Sequence, residues 1–245
     1  MENPLNITSM YSNKQIARIG GFLYLLLILF GVFAEKYVRN SLIVVDNAAL
    51  TTRNITDNVM LFKMGFVADL LMLVTYFLLP LVLYQLFKKT SRALSWLMVF
   101  CVIVAVAIMC SNMLNHYAPL LLLHQNGFEN AFNVDQIHSS VLFYMQMHTI
   151  GYHIAQLFFG LWLLPLGYLL IRSGQFPIII GILLMIGCTG YLVGFIIYFL
   201  FHGQSSTLTQ FVTAPADIGE FSLCLYLLVQ GVKGNHSTIS QRSTE

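Results

Sequence analysis

Four ionisable side chains, Asp69, His153, Asp217 and Glu220, interrupt apolar runs long enough to cross a bilayer. A charge at the centre of a span costs about 2.5 kcal/mol even on the mildest insertion scale. Such a group escapes that cost by pairing, by staying protonated or by lining water. Aligned carboxylates and an imidazole are what proton-coupled binding uses, because their charge can change within the membrane. The same four side chains are acceptable zinc ligands, with a bound water as nucleophile, which describes an intramembrane hydrolase. As a third reading, the polar groups only hold helices together, as in a structural or assembly subunit.

Spacing groups these residues with others. At helical period, Gln146, Thr149, His153, Gln156, Gly160 and Gly167 fall on one stripe with lipid-like residues elsewhere. Gln210, Thr213, Asp217, Glu220 and Cys224 repeat at the same spacing, and Asn112, Asn115 and His116 share a face. Glu35 closes the first apolar run, and Asp69 lies about 12 Å in from the outer end of the second. His153 is the natural partner for a carboxylate. Arg39 or Lys63 could serve near the surface, although Lys63 faces away from Asp69 on its own helix. His116 and His202 read as interfacial. His148 lies about 140° around the helix from His153, so the two cannot chelate from one face. The expected site has Asp69, His153, Asp217 and Glu220 at its centre with Gln156 beside them, and Glu35 and Asn115 nearer its mouth.

The elements that must carry these residues are all apolar helices. Of 245 residues, 58% are hydrophobic and 9% charged, against about 25% charged in soluble domains. Lipid is therefore the solvent for most of the chain. The net charge of +2 carries no nucleic-acid signature. The fold class is all-α, a polytopic membrane bundle of six transmembrane helices, with spans at about 16–34, 61–86, 93–116, 137–171, 176–201 and 210–231. Residues 1–15 form an amino-terminal tail, 16–231 the bundle and 232–245 a carboxyl-terminal tail. Val32-Phe-Ala34 would pass as a signal cleavage site, but Tyr24, Gly31 and Glu35 share a face that a bundle helix would use, so an uncleaved span is expected. The fourth run is longer than the ~20 residues a span needs, so it projects from the membrane or bends near Gly151. Gly187, Gly190 and Gly194 form a small-residue packing face on the fifth span. The four cysteines, all within apolar runs, read as buried and reduced.

Lysine and arginine set the orientation. With the amino terminus inside, Lys14, Arg18, Lys88, Lys89, Arg92, Arg172, Lys233 and Arg242 lie on the cytoplasmic side, and Lys36, Arg39, Arg53 and Lys63 outside. Both termini are then cytoplasmic, the polar faces lie in the outer half of the bilayer, and the bacterial inner membrane is the expected location.

No metalloprotease, serine-hydrolase or phosphate-loop signature occurs. Ala17-Arg-Ile-Gly-Gly-Phe-Leu-Tyr-Leu-Leu26, then Gly31-Val-Phe-Ala-Glu35 with Arg39, resembles the opening of an uncharacterised bacterial membrane family, domain of unknown function 4386. Leu61-Phe-Lys-Met-Gly-Phe-Val-Ala-Asp69 is similar to that family's second span, and Asn112-Met-Leu-Asn115, Phe158-Phe-Gly160, Leu166-Gly-Tyr168 and Arg172-Ser-Gly174 add to the likeness. It covers Ala17 to Leu200 and implies an integral membrane protein with no assigned activity, adding weight to Glu35, Arg39 and Asp69. The leading expectation is a non-enzymatic protein whose polar cavity, open to the outside, binds or passes a small ligand, ion or proton. Its partners are the lipid bilayer and that ligand. No nucleic acid, cofactor or resident metal is expected.

Overall fold

The computed structural model describes residues 12–124, 132–201 and 206–232. The tails up to residue 11 and beyond residue 232, most of the loop after Gln125 and the turn beginning at His202 lie outside the described residues. No strand occurs among the described residues.

Ser12 caps α1 (Asn13–Val32) in a reciprocal box with Gln15, which satisfies two of the free amide groups at that end. The helix does not stop at Ala34. It continues through a π-helical segment (Phe33–Arg39) into the short α2 (Asn40–Leu42). Asn47 then caps α3 (Ala48–Asp57) through Leu50 N–H, and α4 (Val59–Phe87) follows. Next come α5 (Arg92–His124), α6 (Val134–Leu161), α7 (Leu163–Ser173), α8 (Ile178–Leu200) and α9 (Ser206–Val229). Asn133 and Gln136 cap α6 reciprocally, each contact at 2.9 Å.

The long fourth run breaks at Trp162, not at Gly151, which lies within unbroken α6. Pro165 accounts for the break, because its ring crowds the carbonyl four residues back, at Leu161, and it has no N–H to donate. α7 ends at Gly174 with φ +66°, a left-handed position that favours glycine.

Among the described residues, six helices are long and apolar enough to cross a membrane. They close into a ring: α1 packs on α4, α4 on α5, α5 on α6, α6 and α7 on α8, α8 on α9, and α9 back on α1. Gly187 permits the α8–α9 approach, since a methyl group there would come within 2.6 Å of Ala216. A methyl on Gly190 would collide with the carbonyl of Val212.

The apolar interior has two main parts. Nearer the termini, Tyr24, Leu79, Leu83, Trp162, Leu166 and Leu227 belong to one large cluster. Nearer the other end, Val38, Leu42, Ile55, Phe62, Leu120 and Met145 form a second. Along α4, α5 and α6, the residues between these clusters include Asp69, Asn112, His116 and His148, all buried. Exposed Phe, Ile, Leu and Val cover the outside of every span, as lipid contact requires.

Candidate functional site

The π-helical segment carries Glu35 and Arg39, and such widened turns are frequent at functional sites. Arg39 Nε donates to Glu35 Oε2 at 2.8 Å, and its Nη1 donates to Asp69 Oδ2 on α4. Asp69 is 1% exposed and Arg39 8%, so this ion pair lies in the interior. Gly65 makes the approach possible: a methyl there would stand 2.7 Å from Val38, next to Arg39. Arg39, not His153 or Lys63, is the partner of Asp69, and Lys63 is exposed.

His116 is fully buried, which corrects the reading of it as interfacial. Its Nδ1 stands 3.4 Å from Asp69 Oδ2, near enough for attraction but outside hydrogen-bond geometry. Phe62 and Phe66 flank its ring, and His148 on α6 meets it edge-on with centroids 5.1 Å apart. The span-three polar face points at α6. Asn112 Nδ2 donates to the His148 carbonyl at 2.8 Å, and Asn115 Nδ2 donates to Asn112 Oδ1 at 3.1 Å. Gly151 leaves the room that the Asn112 amide fills, since any side chain there would collide with it.

Beside this cluster lies a cavity of about 500 Å³ between α1, α6, α8 and α9. Glu35, Lys36 and Arg39 border it from the π-helical segment after α1, Thr149, His153 and Gln156 from α6, and Gln210, Thr213 and Asp217 from α9. His153 Nδ1 is 2.6 Å from Gln156 Oε1, and its ring stacks on Tyr198 with centroids 3.5 Å apart. Tyr152 and Tyr191 border both this cavity and a second one of about 120 Å³, which reaches Tyr76, Trp162 and Glu220. Glu220 Oε1 accepts a hydrogen bond of 2.7 Å from Tyr24 on α1.

The expected residues are therefore divided. Glu35, His153, Gln156 and Asp217 share the larger cavity. Asp69 lies behind it and is tied to its wall through Arg39. Glu220 belongs to the smaller cavity, and Asn115 borders neither, holding Asn112 in place instead. His148, which the structure places in the buried cluster and at the cavity wall, is outside the site read from sequence. It sits on the packing face of α6 with Val141, Met145 and Ala155, off the polar stripe. The only available signal was a histidine at helical spacing within that otherwise apolar face. Among the cysteines, Cys188 and Cys224 are buried, whereas Cys110 is exposed on the outside of α5.

A family model described as a domain of unknown function (DUF4386) matches residues 19–231. The match takes in Asp217 and Glu220, which the resemblance read from sequence had left outside. No curated protein and no solved structure matches the chain.

Proposed function

We propose, for a chain that belongs to the DUF4386 family and takes no activity from that family's description, that it binds a small polar ligand or ion in the cavity between α1, α6, α8 and α9. The single observation that carries this reading is the cavity wall. Within an otherwise apolar bundle it gathers acidic Glu35 and Asp217, basic Arg39 and Lys36, and the polar side chains of Thr149, His153 and Gln156. A wall of mixed charge suits a polar or zwitterionic molecule, or an ion that travels with a proton. The lysine and arginine distribution supports placement in the bacterial inner membrane with both termini cytoplasmic. Lys14 touches Gly231, so the two ends of the bundle's chain share one side. The cavity then opens to the outside.

The test uses a variant without native cysteines carrying Thr149→Cys, treated in intact cells with a membrane-impermeant thiol reagent. Rapid labelling is expected there and none at Ile154→Cys, which is exposed on the outer surface of α6. Absence of labelling at Thr149→Cys would overturn a water-filled, outward-open cavity. Proton flux in dye-loaded proteoliposomes, with Asp217→Asn as the comparison, separates transport from binding alone.

A further inference from the structure

We propose that Asp69, His116 and His148 form a binding site for one divalent transition-metal ion. Each offers a ligand atom, and these atoms lie within 4.8 Å of one another. A single ion about 2.1 Å from each would hold them about 3.4 Å apart in tetrahedral geometry, so a contraction of at most about 1.4 Å completes the site. The three come from α4, α5 and α6, and the Asn112 bond to the His148 carbonyl fixes the α5–α6 approach.

Unused bonding capacity points to a ligand. Both ring nitrogens of His116 and Nε2 of His148 are buried without a hydrogen-bond partner, at 0% and 2% residue exposure. A buried polar atom left unsatisfied costs about 1–3 kcal/mol, and coordination through one lone pair of each ring would satisfy two of these three nitrogens. Asp69 is held by Arg39, and Arg39 by Glu35, an outer layer of the kind that orients ligating carboxylates. Two carboxylates against one guanidinium leave a negative charge for the ion to meet. Two imidazoles with one carboxylate suit zinc, ferrous iron or manganese more than magnesium or calcium. Three protein ligands leave a position for water or another small ligand. His148 also borders the larger cavity, so the site lies at that cavity's wall. The inference stands on the cluster itself and is independent of what the cavity binds.

The full chain, purified in detergent and stripped with a chelator, is titrated with Zn²⁺ against a chromogenic chelator, with Mg²⁺ as control. One equivalent of Zn²⁺ is expected, with at least tenfold weaker binding in His148→Ala and unchanged binding in His138→Ala. A wild-type chain that holds no Zn²⁺, or a folded His148→Ala chain that holds it equally well, overturns the site. X-ray absorption of the zinc-loaded wild type decides the matter if the variant does not fold. Two imidazoles in the ligand shell support the assignment, and one or none overturns it.

Discussion

Arg39, on the π-helical extension of α1, is ion-paired inside the bundle with Asp69 on α4, thirty residues away in sequence. Removing one partner of a buried pair leaves an uncompensated charge and costs about 3–5 kcal/mol, whereas replacing both by apolar residues of similar volume is close to neutral. Because Glu35 still faces Arg39, Asp69→Ala should lower stability by less than that amount, and Arg39→Met with Asp69→Leu should recover part of it. Denaturation in detergent micelles reads both. A single variant as stable as the wild type would show that the pair contributes nothing.

Tyr24 and Glu220 form another long-range polar contact between spans, joining α1 to α9 at 2.7 Å. Tyr24→Phe removes the donor and should cost about 1.5–3 kcal/mol if the acceptor is charged. Glu220→Gln keeps a carbonyl oxygen for the phenol and should cost less. Thermal melting that ranks the two the other way would place the loss in packing instead.

Gly151 and Gly190 make opposite demands on their neighbours. A methyl group at Gly151 meets the end of the Asn112 side chain, which can rotate away, whereas at Gly190 it meets the backbone carbonyl of Val212, which cannot. Gly190→Ala should cost about 1–3 kcal/mol, as overpacking does, and Gly151→Ala less. Gly151→Ala should also weaken Zn²⁺ binding, because it displaces the amide that holds His148.

Cysteine exposure yields a check on helix rotation. Cys110 faces outward from α5, whereas Cys188 and Cys224 are buried, the latter with Sγ 3.6 Å from the Gly21 carbonyl. In micelles a small lipid-soluble maleimide should modify Cys110 first and leave Cys188 and Cys224 unmodified until unfolding. Mass spectrometry of digested protein reads the order. Early modification of Cys224 would contradict the α1–α9 packing.

The all-α bundle, its six spans and the packing glycines of α8 were legible in the order of residues. Hydrophobic length and helical period are local properties, and a bilayer leaves few other ways to satisfy them. How the polar faces meet was not legible. Period tells which side of its own helix a residue occupies, but the rotation of that helix against its neighbours is set by packing. His153 read as the natural partner of a carboxylate, with Arg39 or Lys63 as others, and Asp69 turns to Arg39 whereas His153 turns to Gln156 and Tyr198. Helix length mattered equally. His116 reads as interfacial from a span that ends there, whereas α5 runs on to His124, so His116 lies about 12 Å short of the helix end. The unbroken run from α1 to Leu42 likewise carries Arg39 to Asp69. Apolar length therefore determined that there would be a bundle of spanning helices carrying polar groups. Only the rotation and true length of each helix, settled by contacts between residues far apart in the chain, decided that Asp69, His116 and His148 would share one point in it.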